Sequence, residues 1–223
     1  MSETAPGIAS VGRSSSEARL AYYRLAPVYD LLAGAGESRL WEAGLRLLDI
    51  GDGERVLEIG CATGRALVKL ARAVGGTGRV VGVDLSPAML ERARRRLTQS
   101  GRGTRVELRP GDALEVRLER GYFDAAFLAF TLELFDAPDI PKLLARCWDA
   151  LRAGGRICVA ALDDGGKGPL LRLYGWAHRR FPRTVDCRPI PVLRFIIEAG
   201  FKIEKSLTAD VWGLPAAVVL ARR

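Results

Sequence analysis

Two apolar runs separated by one helical segment constrain this chain most: Arg55-Val-Leu-Glu-Ile-Gly-Cys-Ala-Thr-Gly-Arg65 and Arg79-Val-Val-Gly-Val-Asp84. The first ends in a glycine-bearing turn and the second in a carboxylate. Val56, Leu57 and Ile59 have the apolar character of a strand buried on both faces in a parallel sheet. Gly60 and Gly64 permit a turn tight enough to bring backbone against a ligand. Asp84 stands where a ribose-binding acid belongs in such a unit. The pair predicts a nucleoside site at the ends of two neighbouring strands.

The spacing of the turn discriminates between ligands. A dinucleotide fingerprint started at Gly60 requires glycine at positions 62 and 65, and the chain has Ala62 and Arg65. The first missing glycine lets a pyrophosphate approach the backbone, and the second lets the helix pack close. A nucleoside without phosphates fits the turn better. An NAD-dependent oxidoreductase is disfavoured on the same ground.

The run from Glu58 to Gly64 resembles the first motif of the class I S-adenosylmethionine-dependent methyltransferases, Glu/Asp-x-Gly-x-Gly-x-Gly, with Ala62 in place of the middle glycine. Val83 to Leu90 resembles the segment whose acid holds the ribose and whose apolar side chains flank the adenine. Gly111-Asp112-Ala113 resembles the segment beside the adenine amino group. Phe123-Asp124-Ala125 and Leu151 to Arg156 are similar to that family's entries into its fourth and fifth strands. The resemblance implies S-adenosylmethionine as cofactor. It implies cofactor contacts at Glu58, Gly60, Cys61, Ala62, Thr63, Gly64, Asp84, Leu85, Met89, Asp112, Ala113 and Phe130. It also implies a single Rossmann-like α/β domain with a seven-stranded, mostly parallel sheet, an antiparallel last strand and helices on both faces.

Hydrophobic periodicity from Glu54 onward supports that architecture independently. It predicts strands near 54–59, 79–84, 104–109, 122–130, 155–162, 201–208 and 214–222. Helices are predicted near 63–74, 87–99 and 138–151, with Pro87 and Pro138 in first-turn positions that tolerate a missing amide hydrogen. Leu40, Trp41, Leu45 and Leu48 recur at helical spacing, which predicts an amphipathic helix over 37–50 covering the core. At 223 residues and 48% hydrophobic, the chain is long enough for one sizeable core. The expected organisation is a disordered tail over 1–16, a helical lid over 17–50 and the methyltransferase domain over 51–223, with a substrate-side insertion near 165–190. The polar 1–16 stretch lacks the pattern of a signal peptide, and no apolar run reaches membrane-spanning length, so a cytoplasmic protein is expected.

Substrate identity is expected to reside outside the cofactor scaffold. Ala21 to Asp30 resembles the aromatic-x-x-x-Ala-x-x-Tyr-Asp segment of the ubiquinone and menaquinone methyltransferases, in which Tyr22 and Tyr29 belong to a lid over the cofactor. The other reading is a helix whose tyrosines pack on the sheet. Leu170, Leu173, Tyr174, Ala177 and Phe181 share one helical face, with Arg172, Arg179 and Arg183 off it. That segment, 170–183, is read as a peripheral membrane contact, a cap on an apolar pocket or an ordinary surface helix. Arg188-Pro-Ile and Ala199-Gly-Phe201 resemble the same quinone family. Arg188 and Asp186 either bind a polar substrate group or pair with each other.

Other classes fit less well. The four cysteines, Cys61, Cys147, Cys158 and Cys187, have no Cys-x-x-Cys spacing and the one histidine is His178, which argues against a metal site. The net charge of +8 favours polyanions, but no basic appendage with interleaved aromatics accompanies it, so nucleic acid is disfavoured. Arg92, Arg94, Arg95 and Arg96 are read as a solvated helix face. The expected activity is methyl transfer to a small-molecule or lipid acceptor, a quinone precursor first and a phospholipid amine second. RNA methylation and a cofactor-binding protein without turnover are the remaining alternatives. Thr131, Glu133, His178 and Arg188 are the candidate substrate residues, and no catalytic residue is singled out.

Overall fold

The computed structural model describes residues 34–165, 188–211 and 213–223, with side chains from Glu37 onward. The 1–16 tail, Tyr22, Tyr29, the 170–183 segment, His178, Asp186 and Cys187 lie outside the described residues. The seven predicted strands form one sheet in the order β3-β2-β1-β4-β5-β7-β6. They are β1 (Arg55–Ile59), β2 (Arg79–Asp84), β3 (Val106–Pro110), β4 (Phe123–Ala129), β5 (Leu151–Leu162), β6 (Lys202–Val211) and β7 (Leu214–Arg222). Neighbours from β3 across to β5 pair in parallel. Only β7 runs against both of its neighbours, closing a hairpin with β6 on the edge. Pro215 is the second residue of β7, near the strand start where its missing donor is tolerated.

Alternation along the strands builds two apolar layers. Leu57 and Ile59 of β1 pack into one cluster with Leu143, Leu144 and Phe195, whereas Val56 packs into the opposite cluster with Leu67, Leu70 and Ala93. The helices α1 (Gly34–Leu48), α2 (Arg65–Ala73) and α3 (Pro87–Gln99) cover the Val56 face. The helices α4 (Ile140–Ala150) and α5 (Val192–Glu198) cover the other. Leu40, Trp41 and Leu48 of α1 are buried and Leu45 is partly buried, as the helical spacing predicts.

Helix starts differ from expectation in three places, the first being α1, expected over 37–50, which begins at Gly34. The predicted 63–74 helix begins at Arg65, because Gly64 takes a left-handed conformation at the N-cap and Thr63 stays in the turn. The predicted 138–151 helix begins at Ile140, so Pro141 rather than Pro138 occupies its first turn. A 3-10 turn over Gly103–Arg105 likewise delays β3 to Val106.

Candidate functional site

The sheet places its ligand crevice by topology. From β1 the chain moves outward to β2 and β3, then returns to β4 on the other side of β1. Connections from β1 and β4 therefore leave in opposite directions, and such a switch point opens a crevice at the carboxyl ends of the strands. The turn after β1 lies there. Gly60 N–H and Cys61 N–H donate to Val83 O at 2.8 and 3.1 Å, tying the turn to β2.

This turn is built to be close to its neighbours. Gly60 has φ +72, and a Cβ on it would lie 2.3 Å from Thr131 Oγ1. Gly64 has φ +77, and its Cβ would meet Ala93 Cβ at 2.8 Å. Ala62, standing where the family motif has glycine, also takes positive φ, at 44°. The substitution therefore keeps the glycine-like backbone and places a methyl group in a conformation that L-residues adopt at a cost.

Asp84 joins the two runs. Its Oδ2 accepts from Ala62 N–H and its Oδ1 from Ser86 N–H, each at 2.8 Å. Burial outweighs both bonds and pushes its carboxyl up to about 6. Ser86 is fully buried, caps α3, and accepts from Met89 N–H at 3.5 Å. Leu85 is half-buried and Met89 is buried. Glu58 is also buried, with Oε2 lacking a hydrogen-bond partner among the described residues. Burial first and the nearby Asp84 second hold its carboxyl well above the usual range.

The remaining predicted cofactor residues approach the same crevice. Gly111 N–H donates to Asp84 O at 3.0 Å, which sets the segment after β3 beside the end of β2. Asp112 Oδ1 accepts from Leu114 N–H at 2.9 Å, and Ala113 is buried next to it. Phe130 follows β4 with φ +50, and its N–H donates to Ala160 O at 2.7 Å. Thr131 Oγ1 is shared between Ile59 O at 3.2 Å and Ala129 O at 3.0 Å.

Two proposed substrate residues, Glu133 and Arg188, lie close enough to act on each other through space. Glu133 lies in the 3-10 turn Leu132–Leu134 with no exposed surface, and its Oε1 accepts from Leu162 N–H at 3.2 Å. Arg188 is 3% exposed and donates from Nη2 to Phe135 O, the residue closing that turn. His178, the other candidate, lies outside the described residues.

One residue of this region was misread from the sequence. Arg96 is not merely a solvated arginine: its Nη1 donates to Thr63 O at 2.6 Å and to Thr63 Oγ1 at 2.7 Å, bracing the turn from α3. Helical spacing offered a signal, since Arg96 is three residues beyond buried Ala93, the residue against which Gly64 packs. Arg94 and Arg95 do remain exposed, each paired with Glu91.

The fold and crevice define a Rossmann-like α/β protein with a nucleoside-type turn. Residues 56–155 match the family model described as a methyltransferase domain. A nocamycin O-methyltransferase of Saccharothrix syringae is 34% identical, over 92% of this chain and 70% of the relative. The 2-phytyl-1,4-naphtoquinone methyltransferase of Synechococcus elongatus is 34% identical over 68% of this chain, a match that spans 65% of that relative's length. The fold is shared with a Burkholderia thailandensis 1,6-didemethyltoxoflavin-N1-methyltransferase, whose structure contains its substrate and S-adenosylhomocysteine. The TM-score is 0.71 at 18% identity, with 99% of this chain and 93% of that one covered. The chain belongs to the class I S-adenosylmethionine-dependent methyltransferases. No helix among the described residues is long and apolar enough to cross a membrane.

Proposed function

We propose that this protein transfers the methyl group of S-adenosylmethionine to a small lipophilic acceptor, a quinone precursor first. The observation that carries the donor assignment is the Gly60 to Gly64 turn bonded to β2, with Asp84 beneath it. The residues fit that cofactor. Asp84 supplies a carboxylate for the ribose hydroxyls, and buried Glu58, its carboxyl raised by burial, presents an Oε2 with no partner among the described residues. Met89 and Leu85 on one side and Asp112 and Ala113 on the other are assigned to the adenine. The quinone relative named above supports the acceptor class.

The chemistry asks little of side chains. The acceptor atom forms a bond to the methyl carbon as the methyl–sulfonium bond breaks, sulfur leaves as a neutral thioether, and the acceptor's proton passes to water. The protein supplies alignment and exclusion of water, which are worth up to about 7–11 kcal/mol in favourable cases. Incubating purified protein with labelled S-adenosylmethionine and a total lipid extract tests the proposal. Label is expected in an organic-soluble product whose mass identifies a quinone. Label confined to RNA, or absence of transfer despite cofactor binding, sinks it.

A further inference from the structure

Glu133 and Arg188 keep hydrogen-bonding capacity that the protein does not use. Among the described residues Glu133 Oε2 has no hydrogen-bond partner, and neither do Arg188 Nε and Nη1. A buried guanidinium left partly unpaired is costly, so groups of this kind persist where a ligand completes them. The carboxyl groups that act on Arg188 through space are Asp136 first and Glu133 second. Glu133 does not neutralise it. Burial, reinforced by Glu37 and opposed by the Leu162 N–H and Arg188, pushes its carboxyl up to about 8, so it is mostly protonated at neutral pH. A buried positive charge thus stands beside a neutral acid.

The location matters as much as the charge. Both groups are anchored to the turn after β4, two to four residues beyond Thr131, which touches the cofactor turn at Gly60. They lie on the β4–β5 side of the switch point, opposite Asp84. We propose that Arg188 and Glu133 are the receptor for an acidic oxygen of the methyl acceptor, a phenolate, enolate or carboxylate. Arg188 supplies charge and N–H donors, and Glu133 in its neutral form donates from Oε2. An amine in its ammonium form is repelled at the same place. This inference rests on the methyl-transfer reading above.

Calorimetry with one ring system tests it on the full chain saturated with S-adenosylhomocysteine. The probes are 2-naphthol, 2-naphthoate, 2-(aminomethyl)naphthalene and naphthalene. One of the two acidic probes is expected to bind at least about tenfold tighter than the amine and the bare ring. Which acid wins identifies phenolate or carboxylate. Arg188→Met is expected to remove that advantage with S-adenosylhomocysteine affinity unchanged, Arg188→Lys to restore part of it, and Glu133→Gln to keep most of it. If Arg188→Met does not fold, the wild-type series and the Arg188→Lys protein still decide. Equal binding of all four probes, tighter binding of the amine, or an acid preference that survives Arg188→Met in folded protein overturns the inference. Failure of the wild-type protein to bind S-adenosylhomocysteine is a separate outcome and sinks the donor assignment instead.

Discussion

The two ends of the sheet treat buried charge in opposite ways. At the amino ends of the strands, carboxylates are matched. Glu54 receives two guanidinium bonds from Arg156 at 2.8 Å, and Asp124 receives Arg152 Nε at 2.6 Å and Arg55 N–H at 2.8 Å. Burial works against both charges, yet the arginine bonds prevail and hold the two carboxyls below their ordinary values. At the carboxyl ends, Glu58, Asp84 and Glu133 are all raised, burial being the largest cause in each. One end pairs its carboxylates, and at the other Glu58 Oε2 and Glu133 Oε2 have no partner among the described residues. The same residue type serves both, and only its neighbours differ.

That contrast is most exposed to a pH experiment on Glu133. A carboxyl raised on folding binds its proton more tightly in the native state, so the native state loses stability as pH rises from the ordinary 4.5 towards about 8. Glu133→Gln is expected to remove a loss of roughly 4 kcal/mol between those limits, read from urea unfolding at a series of pH values. An unchanged slope means that Glu133 is not the buried acid described here.

Gly60→Ala should come next. Its Cβ would overlap Thr131 Oγ1 and Cγ2 at 2.3 and 2.6 Å from a backbone with φ +72. A loss of about 3 kcal/mol is expected. Adding Thr131→Ala should recover part of it, since the side-chain clash is relieved and the backbone strain is not. Full additivity in the double-mutant cycle contradicts the packing described.

Asp84→Ala should weaken S-adenosylhomocysteine binding by about 1–3 kcal/mol in calorimetry, the cost of leaving hydroxyls and two backbone N–H groups without an acceptor. Wild-type affinity should also fall as pH drops through about 6, where Asp84 protonates. Asp84→Asn should flatten that dependence. The smallest effect belongs to the opposite end of the sheet. Asp124 is depressed on folding, so its contribution is present above the ordinary value of 3.8 and lost in acid. With both arginine partners more than a third exposed, Asp124→Asn should cost about 1–2 kcal/mol at neutral pH and leave cofactor affinity unchanged. A change in affinity would blur the distinction between the two ends.

The scaffold was legible because its signals are local. Apolar runs buried on both faces mark β1, β2 and β4, and Pro87 marks the start of α3 by its own missing amide hydrogen. The exceptions have local causes too: a left-handed Gly64 shortened α2, and Pro141 displaced Pro138 from the first turn of α4. Arg96 was misread because a helical arginine looks solvated unless the partner carbonyl is known, and that carbonyl belongs to Thr63 on a different element. Glu133 and Arg188 were named as candidates from their positions alone, without a physical reason to rank them.

By itself, the sequence determined the strand order's raw material, the nucleoside turn from Glu58 to Gly64 and the acid at Asp84, since each depends on backbone conformation and side chains within a few residues. The tertiary structure alone decided which carboxyls are matched and which are not. Desolvation and ion pairing depend on what surrounds a group in space. For Glu133, that surrounding comes from the end of β5 and from Arg188, both remote in the chain.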